Sequence, residues 1–149
     1  MGAAVSGASA LGGLSQAQQA NATCLSVFGI GNSADCISTF GNIAVGIGKG
    51  ADATATGGLF GTAFALGTSA LAETEKAVFG TSFAAGNGAE ALAAGNFDFA
   101  YAGGNTSNAM AIASLSLAAT QGTSGNADAG STPADIGNVA VNLGNDGDA

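Results

Sequence analysis

From Phe40 to Gly58 the chain reads FGNIAVGIGKGADATATGG, in which small or apolar residues alternate with polar ones and glycines mark the breaks. The same opening returns at Phe60 (FGTAFALGTSALAETEKAV), Phe79 (FGTSFAAGNGAEALAAGN) and Phe97 (FDFAYAGGNTSNAMAIASL), so that 40 to 60, 60 to 79 and 79 to 97 are intervals of 20, 19 and 18 residues. A fainter copy begins near Ser116 and a last one at Ile136 (IGNVAVNLGNDGDA). A repeat of this length with strand-like alternation inside it is one coil of a solenoid, a unit that buries its inner face only by stacking on its neighbours. The expected fold is all-β: a parallel β-solenoid with coils of about 18–20 residues and a short N-terminal cap. Six coils from Phe40 onward, stacked at about 4.8 Å, would make a rod of about 29 Å.

Within a coil, successive side chains of a strand point to opposite sides. In the second half-coil that rule places Ala51, Ala53 and Ala55 on one face and Asp52, Thr54 and Thr56 on the other. In the first half-coil Ile43, Val45 and Ile47 share a face, with Ala63, Ala65 and Phe83 near the matching positions of later units. Like residues stack above like, so the expected interior is a set of ladders of Ala, Ile and Phe, and stacked core is the expected place of Phe40, Phe60 and Phe79. One stretch resists the register: ALAETEKAVF, Ala70 to Phe79, is rich in helix formers and pairs Glu73 with Lys76 at i,i+3. It is expected as a coil, with a short helix leaving one corner as the competitor.

Hydrophobic residues make up 47% of the 149, which would suit a globule, but much of that is alanine, and each buried CH₂ beyond it is worth about 0.8 kcal/mol. A solenoid uses alanine and glycine better, as spacers between closely approaching backbones. The 26 glycines then belong mostly at corners, because glycine in a regular strand costs roughly 0.5–1 kcal/mol relative to alanine.

The chain divides by pattern. Residues 1–23 are expected as a flexible or helical cap, Leu14 to Ala20 having the propensity for two turns of helix. Residues 24–39 read as an irregular first coil turning at Gly31 and Asn32, 40–122 as the regular solenoid, and 123–149 as a loop carrying Pro133 followed by a last coil. Cys24 and Cys36 lie twelve apart and are expected to form a disulfide, with two buried thiols as the alternative. The opening MGAAVSGASALGG lacks the basic and apolar regions of an intact signal peptide, and no run of about 18 apolar residues is present to span a membrane as a helix.

Lys49 and Lys76 are the only basic residues against ten acids, a net charge of −8, so nucleic acid and anionic membranes are poor partners. There is no histidine, which removes the usual base of serine and cysteine nucleophiles. The acid pairs Glu73 with Glu75 and Asp146 with Asp148 read as solvated groups, and neither catalysis nor a cofactor is expected. GNDGDA, with Asp146 and Asp148, resembles a single copy of the glycine-aspartate repeats that hold calcium in β-rolls, a weak metal possibility. GIGKGADA lacks the helix start that a phosphate loop needs.

IAVGIGKGADATATG, Ile43 to Gly57, resembles the head repeats of trimeric autotransporter adhesins, as do AFALGTSALA at Ala63 and SFAAGNGAEALAAG at Ser82. The resemblance implies a β-roll that binds host or matrix surfaces; the period near 19 is longer than that family's. Composition also resembles Gly/Ala/Asn-rich exported envelope proteins of mycobacteria and relatives. The expectation is therefore a non-enzymatic exported structural or adhesive surface protein, secreted or at the cell surface. It would act through its faces, with Phe97, Phe99 and Tyr101 as a candidate interaction stripe, or through homo-oligomers or filaments joined by strands or ends. A membrane-inserting assembly of strands such as NFDFAYAG and NAMAIASLSLAA is the alternative, and ice binding by a Thr54–Thr56 face a further one.

Overall fold

The computed structural model describes residues 23–76, 78–112, 114–130, 136–143 and 146. The cap expected over 1–23 lies outside them except for Thr23, as does Pro133. Among the described residues there is no helix, and fourteen strands form two sheets facing each other.

Sheet 1 contains β1 (Thr23–Val27), β2 (Ile30–Gly31), β4 (Ile43–Ile47), β6 (Thr62–Leu66), β8 (Thr81–Ala85), β10 (Phe99–Ala102), β12 (Leu117–Thr120) and β14 (Val139–Asn142). Sheet 2 contains β3 (Cys36–Ser38), β5 (Asp52–Thr56), β7 (Leu71–Glu75), β9 (Glu90–Ala93), β11 (Asn108–Ala111) and β13 (Asn126–Asp128). From β3 onward the chain alternates between sheets, and each strand pairs in parallel with the strand two places on. This is a parallel β-solenoid of about five turns. At about 4.8 Å per rung the five steps from β4 to β14 span about 24 Å, one step less than the six coils counted from the sequence.

Strand register gives the true period. Ile43, Thr62, Thr81, Phe99 and Leu117 stack in one column, at steps of 19, 19, 18 and 18 residues. The residue two places before each column member turns the corner, so Gly41, and not Phe40, is the equivalent of Phe60, Phe79, Phe97 and Leu115. The resistant stretch is resolved as a coil: β7 occupies Leu71–Glu75 and pairs with β5 and β9. In the region after Gly122, β13 continues sheet 2 one rung beyond β11.

The interior differs from the expected ladders of Ala, Ile and Phe. Ala44, Ala63, Ser82, Ala100, Ala118 and Ala140 form one inward column of sheet 1, and Ala53, Ala72, Ala91, Ala109 and Ala127 face them from sheet 2, all buried. Ile43, Val45, Ile47, Phe64 and Phe83 point outward. Phe83 is registered on Phe64, whereas Ala63 and Ala65 sit on Ser82 and Ala84. The reason is thickness. Sheets with large interdigitating side chains sit about 10 Å apart, but here Cys24 of β1 and Cys36 of β3, one from each sheet, have Cα atoms 5.5 Å apart. That distance belongs to the first rung; in the later rungs the facing residues are fully buried alanines, and a gap lined in this way takes a methyl from each side and has little room for isoleucine or phenylalanine.

At several places where a larger residue enters, a glycine lies beside it. A Cβ on Gly46 would stand 2.5 Å from the Cys24 Sγ, and the equivalent positions one and two rungs on are Ala65 and Ala84. A Cβ on Gly61 would meet the Asn42 Oδ1 at 3.0 Å and the Thr74 Cγ2 at 3.2 Å. Asn42 instead uses that space to accept from the Gly61 N–H at 2.6 Å and to donate to Thr39 Oγ1 and the Gly58 carbonyl.

The first coil is a cap. β1 runs antiparallel to β4, and a two-residue hairpin at Phe28 and Gly29, both at positive φ, folds β2 back along it. The turn is thus at Phe28–Gly29 and not at Gly31–Asn32, the pair at 28–29 being flanked by the registered Val27 and Ile30. The Cys24–Cys36 disulfide is formed and ties the two sheets together at this end.

Gly46→Ala is expected to lower stability by about 1–3 kcal/mol, the usual cost of overpacking. In a Cys24→Ala/Cys36→Ala background, where the bridge is absent, the same substitution should cost little. Urea unfolding of the four proteins in this cycle measures the coupling.

Candidate interaction surface

With the interior filled mostly by methyls, the large apolar side chains of the regular coils are turned outward, and the two outer faces differ in chemistry. None of the eight strands of sheet 1 carries a charged residue. Its outer face presents three columns: Ile43, Thr62, Thr81, Phe99 and Leu117; Val45, Phe64, Phe83, Tyr101 and Ala119; and Ile47, Leu66 and Ala85. The rings of Phe64 and Phe83 stack at 5.4 Å and 5°, those of Phe83 and Tyr101 at 5.5 Å and 13°. Val139 and Val141 extend two columns onto the last rung.

A fourth column runs down the adjoining corner. Phe60 and Phe79 stack at 5.1 Å, Phe79 and Phe97 at 5.4 Å, and Leu115 holds the next position. These residues have φ of 60°, 64°, 61° and 60°, the left-handed conformation that glycine adopts freely and other residues at a cost of roughly 1–2 kcal/mol. The conformation is imposed by the corner, where the N–H groups of Phe79, Phe97 and Leu115 bond to Leu59, Val78 and Asn96 of the preceding rung. Gly41 and Gly137 occupy the same position at the two ends, with φ of 86° and 78°. In the middle three rungs the chain carries phenylalanine instead, 60%, 51% and 57% exposed. Stacked core, the expected place of Phe60 and Phe79, is corrected in this sense: they are stacked, but on the surface. Phe40 lies one residue out of the column and its ring meets Phe28 at 5.9 Å.

The expected stripe of Phe97, Phe99 and Tyr101 is one rung crossing three of these columns. Phe97 is on the corner, Phe99 in the first column of sheet 1 and Tyr101 in the aromatic column. Sequence reasoning missed Phe64, Phe83, Leu66 and the corner residues as surface. The signal is in the second half-coil, where parity puts Ala51, Ala53 and Ala55 on one face: a strand facing them in the same coil must be thin as well.

Sheet 2 carries the acids. Asp52, Glu73, Glu75, Glu90 and Asp128 all lie in its strands. Burial and the neighbouring Asp35 raise the pKa of Asp52. That of Glu73 is raised by burial first, then by the hydrogen bond its protonated carboxyl donates to Glu75 and by the charges of Glu75, Glu90 and Asp52. Thr54 is registered between Ile37 and Glu73, and Thr56 on Glu75, so the threonine pair does not continue as a ladder. Among the described residues no three His, Cys, Asp or Glu side chains are grouped to hold a metal ion. Of the weak calcium pair, Asp146 is at the end of the described chain with its N–H on the Thr123 carbonyl, and Asp148 lies outside the described residues.

Asp98 stands apart, 1% exposed at the inner corner position that Asn42 holds three rungs before. Its carboxylate accepts from the Ser116 N–H at 3.1 Å and from the Gly95 N–H. Burial still raises its pKa above the ordinary carboxylate value, the two N–H bonds offsetting that in part.

Comparison of the chain with known protein families, with curated proteins and with solved structures finds no match.

Asp52, Glu73 and Asp98 all bind a proton more tightly folded than unfolded, so each favours the fold below its unfolded pKa and loses that contribution as pH rises through its folded pKa. The thermal midpoint is therefore expected to rise when pH is lowered from 7 toward 4.5. The rise should be smaller in Glu73→Gln, which is already neutral, as read by circular dichroism melts across the range.

Proposed function

We propose that the protein is a non-catalytic, exported structural or adhesive surface module whose working surface is the outer face of sheet 1 together with its aromatic corner. The observation that carries this reading is the position of Phe60, Phe79 and Phe97. Each sits in a conformation that favours glycine and leaves half or more of the side chain in water. A backbone cost of that kind is kept where the side chain has something to do, and stacking at about 0.5–1.5 kcal/mol per pair only roughly offsets it.

Segregation of charge supports the same reading. Contiguous apolar faces beyond a few hundred Å² are rare on soluble proteins without a partner, and here the acids that lie in strands, Asp52, Glu73, Glu75, Glu90 and Asp128, are all on the opposite sheet. The disulfide supports export, since such bonds persist in oxidising compartments. The likeness of Ile43–Gly57 to adhesin head repeats supports the adhesive half of the proposal. The rings of Phe64, Phe83 and Tyr101 stack on one another along the rod, so their edges more than their faces meet the outside, a geometry suited to apolar surfaces.

Phe79→Gly tests it. Relief of the left-handed strain and loss of stacking should nearly cancel, leaving stability within about 1 kcal/mol of the parent. Adsorption to an alkyl-coated sensor, read by mass uptake against a bare silica control, should fall several-fold in Phe79→Gly and at least tenfold in Phe79→Gly/Phe83→Glu. Equal uptake by all three proteins would refute this use of the face.

A further inference from the structure

We propose that the C-terminal edge of sheet 1 receives the same edge of a second copy of this chain, β14 pairing antiparallel with β14 so that two rods join end to end. The proposal concerns the end of the rod and is independent of the reading of its outer face.

The two ends are built differently. At the N-terminal end the backbone groups that would take another strand are already used. β2 folds back on β1, the Leu25 N–H donates to Asn32 Oδ1 at 2.8 Å, and the Leu25 carbonyl accepts from the Asn32 N–H at 3.0 Å. On sheet 2 the Ser38 N–H of β3 donates to the Ser26 hydroxyl at 3.1 Å. A short, turned edge bonded in this way resists strand addition. At the other end, among the described residues, no strand lies beyond β14 in sheet 1, and its sequence VAVN carries neither charge nor proline to protect it.

Register shows which groups are free. In earlier rungs the outward-facing residues bond to the rung that follows: the Ile43 N–H to the Gly61 carbonyl, the Leu117 N–H to the Asn138 carbonyl, and the Ile47 carbonyl to the Gly67 N–H. Val139, Val141 and Leu143 hold such positions in the last rung, so their N–H and C=O groups point off the end of the rod. Their side chains are 66%, 46% and 67% exposed. The chain does not fold back over them, because beyond Leu143 it passes to the far corner, where the Asp146 N–H bonds to the Thr123 carbonyl.

Free donors and acceptors two residues apart are what an antiparallel strand satisfies. A twofold axis through Val141, perpendicular to sheet 1, sets Val141 opposite Val141 of the second copy and Val139 opposite its Leu143. The free donors of each copy then meet the free acceptors of the other, apolar meets apolar on the outer face, and Ala140 and Asn142 stay inward. Centring the axis on Ala140 or Asn142 instead takes Leu143 or Val139 out of the set. The same residues supply both sides of the match, which is what an isologous contact requires and why a second copy is the occupant. Sheet 2 of both copies lies on the same side of this axis, so the solenoids continue as one longer rod, and the closed N-terminal ends stop assembly at two. The contact is small beside the ~800 Å² per partner of stable complexes, so the dimer is concentration-dependent and held mainly by main-chain bonds.

Sedimentation velocity of the full chain from about 1 µM to 1 mM tests this with Val141→Pro and Phe79→Gly. Proline is accepted at an edge position whose N–H faces away from the sheet, and Ala140 and Asn142 keep the bonds to β12. The expected result is a dimer and nothing larger for the parent and Phe79→Gly, weakened about 30-fold or more in Val141→Pro with unchanged circular dichroism. Mild oxidation reads the register. Val141→Cys places two thiols in one opposed pair, with Cα atoms about 5.5 Å apart, whereas Val139→Cys leaves them about 13 Å apart along the strands. Only the first should give a covalent dimer, with Cys24–Cys36 intact by peptide mapping; if Val141→Pro does not fold, this pair decides alone. A parent monomeric throughout the range, polymers that lengthen with concentration, or equal cross-linking of the two cysteine variants overturns the proposal. So does a dimer weakened by Phe79→Gly and not by Val141→Pro, which would place the contact on the outer face. Adsorption to alkyl surfaces reads that face separately, so either reading can fail without the other.

Discussion

The constraint on which the rest depends is the distance between the two sheets. The columns that face each other across the interior, Ala44, Ala63, Ala100 and Ala118 from sheet 1 and Ala53, Ala72, Ala91 and Ala109 from sheet 2, are fully buried alanines, so the space inside a coil holds mainly methyl groups. A core of this kind gains little from each side chain, so backbone hydrogen bonding along both sheets and around both corners has to carry much of the cohesion. The ladder is close to continuous: strand pairs in each sheet are joined at the corners by bonds such as Phe97 N–H to Val78 O at 2.9 Å and Ser124 N–H to Asn105 O at 3.0 Å. Stacking confers what a single coil lacks, which is why one unit of about nineteen residues could not stand alone.

Packing at that limit leaves no slack, and the exceptions to alanine show how it is managed. The disulfide fills the first rung and is matched by Gly46; Asn42 and Thr74 are matched by Gly61; Thr120 is matched by Gly125, whose absent Cβ would collide with the threonine hydroxyl. Volume is exchanged between neighbours at each of these places. Polar groups that enter must also find partners. Ser26 and Ser38 bond to each other at 2.8 Å, and Thr74 and Ser82 at 2.7 Å across the sheets. Ser116 Oγ and Thr120 Oγ1 are buried without one, in the last coils.

Much of this architecture was legible in the sequence, because a repeat with glycine at its corners and alternation between them specifies a solenoid whatever its residues. The outward set of β5, Asp52, Thr54 and Thr56, was also legible from parity alone. What was lost was the sense of the first half-coil. Ile43, Val45 and Ile47 are the most apolar residues of their strand, and the ordinary expectation that apolar means inside placed them in the core. In a coil whose other wall is Ala53 and Ala55 that expectation fails, since a methyl-wide gap cannot admit isoleucine or phenylalanine. The phenylalanine corner was hidden for a related reason: Phe40 shares the Phe-Gly opening with Phe60 but sits one residue out of register, and only strand pairing shows Gly41 as the equivalent.

Inversion of the usual arrangement is also what gives the molecule its apolar outer face. Once alanine has taken the inside, Phe64, Phe83 and Tyr101 have nowhere to go but out, and the parallel register lines them up, while all the charged residues that lie in strands are on sheet 2. The most direct measurement of this account compares two adjacent residues of β9 by urea unfolding. Ala91→Leu should abolish cooperative folding or remove most of the stability, while Leu92→Ala, at an outward and only half-buried side chain, should cost far less, about 1 kcal/mol. The reverse order, with leucine tolerated at 91 and needed at 92, would contradict the account.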